Sequence, residues 1–231
     1  MALLVSAIFP VVVFLVIVYR KDTEKEPPKL LAKCFFLGCV ATVPAMLLEL
    51  LVDVFNNFDS AFARSFFDAF AVAALVEEGV KFAFLYWIVW KRKEFNQYFD
   101  GIVYAVFVSL GFALVENVFY VFDSGFGTAV LRAVLSVPGH GLFGVVMGYF
   151  FALARFSANR RGGLLWLSFL APLLIHGLYD FLLMSIGAIE NAGLGFLFFA
   201  GFVAFMIWLW RIGIKSINKH YAKDLEAYRR Y

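Results

Sequence analysis

Charge is scarce in this chain. Of its 231 residues only 16% are Asp, Glu, Lys or Arg, while 63% are hydrophobic, and the mean hydropathy is +0.85. A soluble domain of this length needs a far more polar surface, so the balance excludes one and points to a polytopic membrane protein. The net charge of +3 carries no basic concentration of the kind that nucleic acid requires. Cysteine is nearly missing as well. Cys34 and Cys39 fall near the inner end of one apolar segment and read as ordinary buried thiols, with no disulfide expected. No basic stretch precedes the first apolar run, Ala2 to Tyr19, and the bases Arg20 and Lys21 follow it. That order is the reverse of a cleavable signal peptide, so the run is expected to be a retained span with its N-terminus outside.

Apolar segments dominate what is present, at roughly 2–19, 30–55, 66–90, 101–122, 131–154, 164–186 and 192–211. Lys and Arg concentrate in every second connection. The first carries Arg20, Lys21, Lys25, Lys29 and Lys33, the third Lys91 to Lys93, and the fifth Arg155, Arg160 and Arg161. The tail has Arg211, Lys215, Lys219, Lys223, Arg229 and Arg230. The connections between them hold Asp59 with Arg64, Asp123 with Arg132, and Glu190. The positive-inside rule then predicts an all-α bundle of seven transmembrane helices, N-out and C-in. Residues 1–211 form one membrane domain in this reading, with a catalytic core at about 66–186. Residues 212–231 form a basic cytoplasmic tail, either laid on the anionic inner leaflet or solvated. Short connections leave no room for an extramembrane domain.

Against this background Ala71–Tyr86 stands out, because it places Glu77, Glu78 and Lys81 inside an apolar run. A charged side chain at the centre of a membrane helix costs roughly 2.5–3.5 kcal/mol, so three of them imply a protected, partly wet interior and a functional site. With the predicted topology and ~1.5 Å per residue, Glu78 lies about 18 Å below the outer face and His176 about 15 Å. His140 lies about 13 Å down, and Asp180, Glu116 and Asn117 about 9 Å. Polar groups of four spans therefore share one slab. Glu77 and Lys81 are four apart on one helix face, as are His176 and Asp180. Glu77 and Glu78 differ by about 100° in direction, so one can face the reaction while the other accepts hydrogen bonds behind it. Pro138, Gly139 and Gly141 flank His140 and should break or kink the fifth span. Glu49 and Asp53 read as interfacial, and His220 in the tail as inert.

Glu77-Glu78-Gly-Val-Lys81, Phe112 four before Glu116, His140 followed by Gly, and His176-Gly-Leu-Tyr-Asp180 together resemble the motif set of the PrsW-type intramembrane proteases. These are related to the prenyl endopeptidase and bacteriocin-processing superfamily. That wider group has two Glu followed by Arg, a Phe with a later His, and a His with a later Asn. Here Lys81 stands one position before the Arg, Glu116 takes the place of the first His, and Asp180 that of the Asn. These departures favour the PrsW branch and leave His140 as the imidazole available in place of a His at 116. The resemblance implies a bacterial cytoplasmic-membrane protease that cuts a membrane-embedded protein near the outer face, a single-span anti-sigma factor being the best-known substrate.

The expected chemistry is peptide hydrolysis without a required cofactor. Glu77 is the general base on a water, with His140 as partner and Glu116 ordering the cluster. Glu78 and Lys81 tune the charge, Asn117 supports, and His176, oriented by Asp180, donates to the oxyanion. A zinc version holds the metal with Glu77, Glu116, His140 and His176, although the helical zincin motif HExxH is absent. No Ser or Cys set for nucleophilic catalysis is evident. A proton-coupled transporter or channel could use the same buried residues, but no inverted repeat is apparent. A metal-dependent lipid hydrolase is the third alternative.

Overall fold

In lipid, backbone N–H and C=O groups find no water, so apolar segments must close their hydrogen bonds internally as helices. The computed structural model describes residues 2–229, and among these every regular element is helical. Arg230 and Tyr231 of the tail, and the side chain of Asp123, lie outside the described residues. The helices are α1 (Ala2–Lys21), α2 (Pro28–Asp53), α3 (Ala61–Phe67), α4 (Leu75–Val89), α5 (Tyr98–Val134), α6 (Ser136–Arg155), α7 (Arg161–Ala188) and α8 (Ala192–Tyr228). A π-helical segment, Asp68–Ala74, joins α3 to α4 without a break. Among the described residues five stretches are long and apolar enough to cross a membrane: Pro28–Asp53, Tyr98–Phe122, Val130–Arg155, Arg161–Ala188 and Ala192–Ala227. The chain is thus a polytopic helical membrane protein. The apolar run at 66–90 is interrupted by the π segment, so no single regular helix covers it.

α5 is the central element. Its largest contact is with α6, and it also packs on α2 and α1, while α7 covers α6 and the π segment. Glycine permits the closest of these approaches. A Cβ on Gly111 of α5 would stand 2.1 Å from the carbonyl oxygen of Phe35 on α2, and one on Gly38 would stand 2.1 Å from that of Val108. Small residues at such crossings let backbones pack directly, which replaces the hydrophobic drive that lipid does not supply. The outward faces of α2 and α8 stay apolar, with Leu50, Leu51, Phe196 and Leu197 all exposed, as lipid contact requires.

Two features differ from the segment boundaries expected above. The polar connection at 123–130 lies within α5, which runs on as helix to Val134. The break falls instead at Leu135, and Pro138 occupies the first turn of α6, where its missing N–H costs no helical bond. His140 is therefore held one turn inside a helix start rather than at a mid-helix kink. The tail continues α8 as helix to Tyr228. Asp224 on that extension accepts from the backbone N–H groups of Tyr98 and Phe99 at 2.9 and 2.7 Å. It thereby caps α5, where a carboxylate is favoured by the helix dipole.

Candidate active site

The π segment sets the geometry of the site. Leu75 N–H bonds to Phe70 C=O, five residues back, which places an extra residue in the turn just before Glu77. Such wide turns recur at functional positions. They are affordable only where neighbours hold them, and here α7 does so. Gly177 lies so close to the Phe70 ring that a Cβ would stand 2.3 Å from it. The glycine beside His176 thus lets the π segment and α7 meet.

Lys81 is the hub. It is fully buried, and its ammonium lies 2.9 Å from Glu77 Oε2, 2.9 Å from Glu78 Oε1 and 3.0 Å from His140 Nδ1, so all three of its protons have partners. The Phe112 ring stands 4.3 Å away and adds a cation–π contact. With Nδ1 facing the ammonium, His140 carries its proton on Nε2, 2.9 Å from Glu116 Oε2. Ser109 Oγ donates to the His140 carbonyl at 2.7 Å and holds that turn of α6 against α5. His176 Nδ1 lies 3.0 Å from Glu78 Oε1, and its Nε2 lies 3.1 Å from Asp180 Oδ2. Both nitrogens face carboxylates, an arrangement satisfied when both carry protons. Phe143 stacks on the His176 ring at 4.6 Å and fixes its plane. Each of the four carboxylates has a cationic or imidazole partner within 3.1 Å. That pairing is what makes so many buried charges tolerable.

Glu77, Glu78, Lys81, Glu116, His140, His176 and Asp180 therefore meet, from four helices. Their division of labour differs. Glu78 and Lys81 are sealed behind the others, whereas Glu77, Glu116, His140, His176 and Asp180 line a cavity of about 400 Å³. Asn117 points away: its amide donates to the Ala7 carbonyl of α1 at 3.1 Å and its oxygen accepts from Arg132 Nε at 3.1 Å. His220 is buried against Tyr149 and its Nε2 lies 2.9 Å from that residue's carbonyl, so its role is packing.

Three residues escaped the sequence argument. Arg132, placed there at the end of a connection, forms an ion pair with Glu116 at 2.9 Å and lies over the Tyr120 ring at 4.0 Å. At ~1.5 Å per residue its spacing of sixteen from Glu116 spans about 24 Å of straight helix, so the contact requires the chain to fold back between them, and no sequence spacing signals it. Tyr179 lines the cavity as well. Glu49, read as interfacial, borders a second cavity of about 430 Å³ that is also lined by Glu77 and Glu116.

A divalent ion can be weighed against this donor set. Glu77, His140 and His176 each offer one ligand atom, all within 4.8 Å of one another, and two imidazoles with one carboxylate are donors that zinc accepts. Glu116, the fourth donor expected for zinc, is not in that group. The residues fit such an ion in kind.

Comparison with known proteins agrees with the geometry. Residues 26–209 match a family model described as PrsW family intramembrane metalloprotease. The chain is 36% identical over 225 residues to Protease PrsW of Geobacillus kaustophilus (strain HTA426), covering 96% of this chain and 94% of that one. It is 36% identical over 225 residues to Protease PrsW of Clostridioides difficile (strain 630), covering 94% and 91%. It is 34% identical over 220 residues to Protease PrsW of Bacillus subtilis (strain 168), covering 94% and 95%. No solved structure matches the chain. Convergence of acids and imidazoles from four helices on one cavity, with this similarity along nearly the whole length, means that the chain belongs to the PrsW family of intramembrane proteases.

Proposed function

We propose that this protease hydrolyses a peptide bond of a membrane-embedded protein by water activated at Glu77. The observation that carries the reading is the cavity, where Glu77 is the one member of the Glu77–Glu78–Lys81 group that borders open space. Glu77 accepts a proton from the attacking water. The hydroxide oxygen adds to the carbonyl carbon, and the proton passes to the departing nitrogen as the C–N bond breaks. Lys81 holds Glu77 in place and keeps His140 Nδ1 an acceptor, while His140 fixes Glu116 at the opposite wall. His176, held between Glu78 and Asp180, positions the α7 wall. To act as oxyanion donor it would first have to release Asp180.

The family description and the three-residue donor set favour a metal-assisted second reading. Glu77, His140 and His176 would hold the ion, which when bound polarises a carbonyl and lowers the pKa of a water. With Glu77 so engaged, Glu116 and Asp180 are the carboxylates left at the cavity, either of which could take the proton.

The position of the cavity supports a membrane-embedded substrate. It sits among helices of a membrane bundle, so the substrate reaches it from the bilayer, and a single-span protein such as an anti-sigma factor suits it. In the seven-span, N-out and C-in arrangement the cut falls near the outer face. The decisive experiment reconstitutes the purified protein in liposomes with single-span polypeptides and reads products by mass. Glu77→Gln is expected to lose at least about a thousandfold in rate. Equal cleavage by this variant and wild type would remove the reading. Exhaustive chelation with elemental analysis separates the two versions: a retained rate with no bound metal leaves only the first.

A further inference from the structure

Hydrolysis puts negative charge on the carbonyl oxygen of the scissile bond, and a donor must meet it. Several donors that border the cavity are already engaged, while Ser136 is half-buried and Tyr120, 48% exposed, opens to the surroundings. His140 Nε2 faces Glu116, both nitrogens of His176 face carboxylates, and Arg132 is committed to Glu116 and Asn117. The ammonium of Lys81 is sealed behind Glu77 with all three protons used. Tyr179 is different. It is 4% exposed, it lines the cavity, and among the described residues its hydroxyl has no hydrogen-bond partner.

A buried phenol without a partner loses its hydration with nothing in return, so an orphan at this place calls for an explanation. Its ring is held by Phe143 at 5.7 Å and Phe202 at 5.2 Å, both edge-on, so the phenol is fixed in place beside the cavity. It follows Gly177 and precedes Asp180 on α7, which places it on the same wall as His176. The charged groups that act on it are Asp180, Arg132 and Glu116, all members of the cavity lining.

We propose that Tyr179 is a further catalytic residue, whose hydroxyl donates a hydrogen bond to the carbonyl oxygen of the scissile bond as that oxygen becomes an oxyanion. The inference rests on hydrolysis at Glu77 as set out above. The phenol keeps its proton throughout. Water oxygen bonds to the carbonyl carbon, the carbonyl π pair moves onto oxygen and is met by the Tyr179 O–H, and the water proton goes to Glu77. Collapse re-forms the C=O bond, breaks C–N and returns that proton to nitrogen. Tyr179 thus favours the tetrahedral state over the bound substrate, which is how a donor raises kcat.

The test compares wild type, Tyr179→Phe and Glu77→Gln in liposomes. The probe is a single-span polypeptide library with a randomised exoplasmic juxtamembrane segment, with the best-cleaved member then used for kinetics. Tyr179→Phe is expected to lower kcat roughly a hundredfold, the scale seen on removing one oxyanion donor, with KM changed less than about threefold. The melting temperature in detergent should stay level or rise, since an unpaired buried hydroxyl has been removed. A wild-type kcat in Tyr179→Phe, with Glu77→Gln inactive, overturns the assignment and leaves hydrolysis at Glu77 standing. A loss in which kcat, KM and melting temperature all move together makes Tyr179 structural and overturns it too. Equal product from wild type and Glu77→Gln overturns the function itself and this inference with it.

Discussion

Lys81 shows how a single side chain can hold a membrane site together. Its ammonium joins Glu77, Glu78 and His140 in one fully buried contact. Removing it leaves two carboxylates in a low dielectric without a cation, and breaking a buried pair in this way costs about 3–5 kcal/mol. Lys81→Met should therefore lower the melting temperature of the detergent-solubilised protein clearly, besides abolishing cleavage. An unchanged melt would mean that Glu77 and Glu78 do not need the charge. The pairing of Glu77 with Lys81 was legible from a spacing of four, and so was that of His176 with Asp180. The approach of Lys81 to His140 and of Glu78 to His176 was not. These are contacts across 59 and 98 residues, and they depend on how far each helix is rotated about its own axis.

At the scale of elements, the π segment and the loop between α1 and α2 carry distinct consequences. Asp68–Ala74 supplies one more residue per turn than an α-helix would, and Glu77 follows three residues later. Deleting Val72 lets the ordinary ladder close and turns α4 by about 100° relative to α3. The expected outcome is loss of cleavage by more than about a hundredfold in a protein that still inserts, whereas Val72→Ala stays active. Equal activity of the two would show that the wide turn has no part in aiming Glu77. No feature of the sequence Asp-Ala-Phe-Ala-Val-Ala-Ala announces a π turn. It coincides with two contacts to α7, Phe70 on Gly177 and Glu78 on His176, made by residues distant in the chain.

The loop sits at the other end of the bundle. Asp22 and Glu26 are each 4% exposed, and Tyr104 donates to Glu26 Oε2. Burial pushes the Asp22 carboxyl up to about 6, against the pull of Lys25. Burial likewise pushes Glu26 up to about 7, with the neighbouring Asp22 and Glu24 adding to it and the Tyr104 hydroxyl opposing it. These acids hold their protons more tightly folded than unfolded, so their contribution is complete below the unfolded values near 4 and is lost as pH rises through about 6 to 7. The melting temperature should accordingly fall between pH 5 and pH 8, and Asp22→Asn with Glu26→Gln should flatten that slope. A slope that survives both substitutions would assign it to other groups.

For the whole molecule, orientation is the outstanding physical statement. Bases cluster around residues 20–33, 91–93 and 155–161, with few in the connections between. Single cysteines at Glu24, Lys93 and Arg160, in a Cys34→Ala, Cys39→Ala background, should react with an impermeant thiol reagent only from the cytoplasmic side. Cysteines at Asp59 and Glu190 should react only from outside. Labelling in any other pattern would invert or break the N-out, C-in reading and move the cut to another face.

Composition and hydropathy settled that the chain is a helical membrane protein, because a backbone in hydrocarbon has few other ways to satisfy its polar groups. Local spacing settled which acids, bases and imidazoles share a helix face, since the α-helical repeat is the same wherever the helix sits. Four short motifs on four apolar segments were enough to place it in a family. Packing alone decided the rest. That Arg132 folds back onto Glu116, that Glu49 borders a second cavity, and that Tyr179 is buried at the edge of the first all depend on helix rotation, crossing distance and one wide turn. Those quantities come from side chains of distant segments fitting together, and a one-dimensional pattern of hydrophobicity contains no measure of them.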